Sequence, residues 1–174
     1  MRFVLVNGIN THGETNVDLL GSDLARYGCP IVDVRLPKRH WMSARWGGPA
    51  DAQLVKKSSK DGDALIAHSF GAIRAWYAHK MTEYKYLFII APAHGHMVKW
   101  RVPERVHCFH SDGDWTVKLG ASLPFHPFGW AGVVGYQQRG VVNVDCTSDH
   151  GGYFSDPHLR RHIVDYILEV TESD

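Results

Sequence analysis

Six short apolar runs, each followed by a segment of different period, constrain this chain more than any other feature. They are RFVLVN (2–7), IVDVRL (31–36), DALIAH (63–68), YLFIIA (86–91), ERVHCFH (104–110) and VVNVDC (141–146). Most are apolar at consecutive positions and rich in β-branched residues, as expected of strands buried on both faces. The segments between them carry helical signals. Val17, Leu20, Leu24 and Tyr27 recur at intervals of three and four, after a capping-box-like Thr15 and Asp18 and before the stop at Gly28 and Pro30. A second helix is expected to open at Pro49, carry Leu54 and Val55, and end near Asp61 and Gly62. A third runs from Phe70 to about Met81 with no loop before it. In the last, Ser155 or Asp156 is the cap, Pro157 suits the first turn, and Leu159, Ile163, Tyr166, Ile167 and Val170 form one apolar face. The stretch 116–138 reads as a helix followed by an apolar loop. Such alternation implies right-handed crossovers and an α/β three-layer sandwich: a mostly parallel six-stranded sheet with helices on both faces. Ligands of such a sheet bind at the carboxyl ends of its strands.

Bulk properties narrow the class. A chain of 174 residues, 44% hydrophobic and 21% charged, supports one substantial core, so 1–174 reads as a single soluble domain. The formal net charge of +1 gives no cationic face for a phosphate backbone, which argues against a nucleic-acid partner. No segment has the length that spans a bilayer, and the first ten residues lack a signal-peptide core. Cys29, Cys108 and Cys146 are odd in number, widely spaced and set in or beside apolar segments. They read as reduced, which points to the cytoplasm.

The chemistry concentrates where strands end. In ALIAHSFGAIRAW (64–76), Ser69 lies at the junction of a strand and a helix, with small residues, Ala67 and Gly71, two positions to either side. A serine hydroxyl needs an adjacent base, a group orienting that base, and donors for the developing oxyanion. A tight strand-to-helix turn exposes the hydroxyl and presents the backbone N–H of Phe70 as one donor. The competing reading is a serine that caps the helix. Chain order is an independent test, because in this arrangement nucleophile, acid and histidine follow successive strands in that order. Asp112 and Asp114 both follow the fifth strand, and His150 follows the sixth in TSDHGGYF. His94 and His96 suggest either a weak metal site or a loop at the substrate mouth. Leu123, Phe125, Phe128 and Trp130 read as a lid or acyl-binding wall, or as satellite core. Trp41 and Trp46, in a loop after the second strand, are a substrate wall or a hydrophobic plug. His12 falls near the loop after the first strand, within reach of substrate.

Ala67-His68-Ser69-Phe70-Gly71 resembles the α/β-hydrolase fold, and within it the minimal bacterial lipases, which carry Ala in place of the first elbow glycine. Those enzymes have His-Gly-Ile after the first core strand, where this chain has Asn7-Gly8-Ile9. The segment YLFIIAPAH is similar to one in the small retinoblastoma-binding-protein-like serine hydrolases. The resemblance implies a strand order of 2-1-3-4-5-6 and no large cap domain. It places the second oxyanion N–H on Ile9, and it favours Asp114 as the acid because the family's acid is usually followed three residues later by Val, here Val117, with Asp112 kept as the alternative acid. The implied activity is that of a serine hydrolase of small or medium acyl esters, a carboxylesterase or lipase-like enzyme, with Ser69, His150 and Asp114 as triad. It requires no cofactor and no metal. Thioesterase or amidase chemistry would use the same residues, and a non-catalytic protein-binding module is the reading of a different class.

Overall fold

In a computed structural model, residues 1–8, 17–37, 41–122 and 129–173 are described, with backbone only for 41–47. The expected runs form six strands: β1 (Phe3–Val6), β2 (Ile31–Asp33), β3 (Ala64–His68), β4 (Tyr86–Ile90), β5 (Val106–His110) and β6 (Val142–Asp145). Each is shorter than its apolar run by up to three residues. Their order is β2-β1-β3-β4-β5-β6, and every neighbouring pair is parallel. The register sets Val6 beside Ala67, Ala67 beside Ile89, and Ile90 beside Phe109.

The period of two along each central strand divides the core into two apolar layers. Val4, Val6, Leu65, Ala67, Leu87, Ile89, Val106 and Cys108 face one way. They pack on α2 (Trp41–Ser58), α3 (Gly71–Ala78) and α5 (Ala131–Val134). Phe3, Leu5, Ile66, Phe88, Ile90 and Phe109 face the other way, against α1 (Val17–Arg26), α6 (Gly152–Ser155) and α7 (Pro157–Glu172). The architecture is therefore three layers. A further helix, α4 (Trp115–Ser122), follows β5. Asp156 is the cap of α7, accepting from the N–H groups of His158 and Leu159, with Pro157 in the first turn. The three cysteines are unpaired, with Cys108 and Cys146 buried. No helix of the described residues is long and apolar enough to cross a membrane.

Two helices end about three residues early, α2 at Ser58 and not near Asp61, α3 at Ala78 and not about Met81, and one expected start is wrong by more. Helix α2 begins at Trp41, eight residues before Pro49, so Pro49 lies inside it and Trp41 and Trp46 are helical, not in a loop. An interior proline costs a helix roughly 3 kcal/mol. Tertiary packing offsets this: a Cβ on Gly48 would stand 3.3 Å from Ile73 and 3.4 Å from Tyr77, so α2 is pressed against α3 one residue before the proline.

Candidate active site

The turn between β3 and α3 occupies two residues, Ser69 and Phe70. Ser69 has φ of 55°, a left-handed conformation that a side chain rarely adopts. Its backbone is held there from three sides. The N–H donates to the Ile90 carbonyl at 3.0 Å, and the carbonyl accepts from Ala72 and Ala93, each at 3.1 Å. Small neighbours are a steric requirement: a Cβ on Gly71 would stand 2.4 Å from the Val6 carbonyl oxygen and 3.0 Å from that of Asn7. The Ser69 side chain does not cap α3, whose first turn receives no side-chain hydrogen bond from Phe70. Its Oγ instead lies 2.9 Å from Nε2 of His150.

His150 is presented by the loop after β6. Asp149 shapes that loop, its Oδ1 accepting from the N–H of Gly151 at 3.0 Å and of Gly152 at 2.7 Å. The other ring nitrogen of His150, Nδ1, lies 2.7 Å from Oδ2 of Asp114. Asp114 is fully buried and holds a second partner, since its Oδ1 accepts from the Val117 N–H at 2.9 Å. It is therefore also the cap of α4. Asp112, two residues earlier, is exposed. Ser111 joins the two loops: its buried Oγ accepts from Gly113 and from Ser148, each at 3.0 Å.

His68 lies beneath His150, with ring centroids 4.9 Å apart and the edge of Phe154 at 4.8 Å. Burial, reinforced by His150, pushes its pKa well below the usual imidazole range, so it is neutral. Its ring nitrogens have no hydrogen-bond partner among the described residues. Just past β1, the Asn7 side-chain amide donates to Asp18 at 3.1 Å. Gly8 approaches the serine closely enough that a Cβ there would lie 3.6 Å from Ser69 Oγ.

Ser69, Asp114 and His150 are thus brought together at the carboxyl edge of the sheet. Ile9, His12, Leu123, Phe125 and Phe128 lie outside the described residues. Trp130 is partly exposed at the start of α5 and lines an apolar hollow of about 450 Å³ with Gly95, His96, Met97, Val98 and Gly129. His94 turns inward, its Nδ1 lying 3.2 Å from the Tyr136 hydroxyl, and burial holds its pKa down at about 3. A larger hollow, about 800 Å³, opens at the opposite edge of the sheet, beside Gly62, Tyr86 and Arg105.

Sequence reasoning missed Ser111, Asp149 and the role of His68. Ser111 and Asp149 act through backbone hydrogen bonds fixed by loop shape, for which a lone sequence has no signal. His68 stands inside the elbow motif, and only packing reveals its contact with His150.

No protein-family model and no curated protein sequence matches the chain. Solved structures do match. A Xanthomonas campestris pv. campestris protein described as a hydrolase of the alpha/beta superfamily is similar at TM-score 0.64 and 14% identity, over 97% of this chain and 98% of that one. A Pectobacterium atrosepticum protein described as a YdeN-like hydrolase gives TM-score 0.57 and 17% identity, over 94% and 89% of the two chains. An extracellular alpha/beta-hydrolase from a Paenibacillus species, said to share structural and functional homology with tobacco salicylic acid binding protein 2, gives 0.59 and 9%, over 97% and 98%. With the strand order and parallel register above, these likenesses identify the chain's fold as that of the α/β-hydrolases.

Proposed function

We propose that this protein is a serine hydrolase that cleaves small or medium acyl esters through an acyl-enzyme intermediate. The observation that carries the reading is the unbroken hydrogen-bonded line from Ser69 Oγ through His150 to buried Asp114. Ser69 Oγ attacks the ester carbonyl while His150 Nε2 takes its proton. The C–O bond to the leaving alcohol then breaks as Nε2 returns that proton to the alcohol oxygen. Water, deprotonated by the same nitrogen, attacks the acyl-enzyme and releases the acid and the serine. Asp114 accepts a hydrogen bond from the His150 Nδ1–H throughout, which keeps Nε2 free to accept in the resting state.

The Phe70 N–H, next in chain to the serine and at the start of α3, is the first oxyanion donor in this reading, and Ile9 supplies the second. A non-catalytic binding module would have no use for a left-handed serine aligned with a histidine and a buried aspartate. Three unpaired cysteines suit a reducing compartment, and we place the protein in the cytoplasm.

Hydrolysis of 4-nitrophenyl acetate and butyrate by purified Ser69→Ala tests the proposal. Turnover should fall to background with the melting temperature kept. Persistent turnover in the folded alanine variant overturns it.

A further inference from the structure

Helix α3 carries a fully buried arginine one turn beyond Gly71, and the triad chemistry makes no use of it. The side chain of Arg74 is 1% exposed. Its Nη1 donates to two backbone carbonyls at the end of β1, Asn7 at 2.9 Å and Gly8 at 3.1 Å. Its Nε and Nη2 both reach Oδ2 of Asp51, on α2, at 3.1 Å. The guanidinium carbon also lies 5.2 Å from the centroid of the Phe70 ring. One side chain therefore touches the backbone beside Ser69, the residue after Ser69, and the helix packed behind both.

Burying a guanidinium and a carboxylate removes both from water, and apolar side chains of similar volume would join α2 to α3 at no such cost. What an apolar side chain cannot do is hold two carbonyl oxygens in fixed directions. In a trans peptide group the C=O and the following N–H point in opposite directions. Anchoring a carbonyl on one side therefore directs the next N–H to the other. A cation on the carbonyl also polarises the peptide group and strengthens its N–H as a donor. Gly71 presses on the same backbone from the preceding turn, through its contacts with the Val6 and Asn7 carbonyls.

We propose that Arg74, neutralised by Asp51, is a positioning residue that fixes the Asn7–Gly8 backbone against Ser69 and so sets the oxyanion-stabilising donors of the site. The inference rests on the serine-hydrolase reading. It assigns Arg74 no contact with substrate: its effect is on the transition state, through backbone that it orients.

The test compares wild type with Arg74→Lys, which keeps a cation beside Asp51, and with the double variant Arg74→Met plus Asp51→Asn, which removes both charges of the pair. The readouts are kcat and KM for a 4-nitrophenyl ester, the inhibition constant of a trifluoromethyl ketone with the same acyl part, and thermal unfolding. In the double variant kcat should fall by about 10-fold to 100-fold, below the loss for deleting a whole oxyanion donor. KM should stay within about twofold, and the ketone should weaken by the factor lost in kcat/KM. Arg74→Lys should lie between the double variant and wild type. Wild-type kcat in either folded variant overturns the proposal, as does a loss confined to KM. If instead wild type neither turns over esters nor reacts with a fluorophosphonate, it is the serine-hydrolase reading that fails.

Discussion

At the scale of single residues, the site turns on Asp114 holding one histidine and one helix at once. Its two oxygens go to different partners, His150 Nδ1 and the Val117 N–H, and it is fully buried, whereas Asp112 points to solvent. Replacing a triad aspartate with asparagine keeps its size but favours the wrong imidazole tautomer, which lowers turnover by roughly 10⁴-fold. Asp114→Asn should show a loss of that order in kcat while remaining folded, and Asp112→Asn should stay within about threefold. Steady-state kinetics of the two variants decides it, and the reverse ranking contradicts the assignment. Much of this is readable in the sequence, because the positions of Ser69, the two aspartates and His150 after successive strands are set by chain order. What is not readable is how the loops are tied. Ser111 bridges Gly113 to Ser148, and Asp149 turns the chain at Gly151, through hydrogen bonds that depend on three-dimensional loop shape.

At the scale of elements, α3 sets the geometry of the turn. Only two residues separate it from β3, which drives its first turn into the end of β1 and admits only glycine at position 71. Gly71→Ala should push the turn away from β1 and reduce stability by about 1–3 kcal/mol. It should also lower kcat/KM by more than 10-fold, because Ser69 moves with the turn. Denaturant titration and ester kinetics read the two effects, and an alanine variant matching wild type in both would contradict the packing argument. The strand runs and the capped final helix were legible because period and cap chemistry are local. The start of α2 was not. Pro49 is a strong local signal for a helix start, and it was overridden by the close approach of Gly48 to α3, a contact between residues 25 and 29 positions apart in the chain.

At the scale of the whole molecule, a sheet covered on both faces buries polar groups as well as apolar ones. Among the described residues, four histidines are held below their ordinary pKa, chiefly by burial: His68 well below, His79 at about 4, His94 at about 3, and His107 in the same direction. Unfolding returns each to near 6.5, so below that pH the unfolded chain binds more protons than the folded one. The stability these groups contribute is complete above pH 6.5 and is lost as the pH falls toward their folded values. The melting temperature should therefore drop by about 3 °C or more per unit between pH 6.5 and pH 5. A flat or rising melting temperature across that range would show that these rings protonate in place. Whether the fold holds Ser69 as an activated nucleophile is decided by exposing the native protein to a fluorophosphonate and mapping the adduct by peptide mass spectrometry. One adduct per chain is expected, on Ser69, lost in Ser69→Ala and slowed by orders of magnitude in His150→Ala. A native protein that takes up no label, or one labelled at another residue, would contradict it.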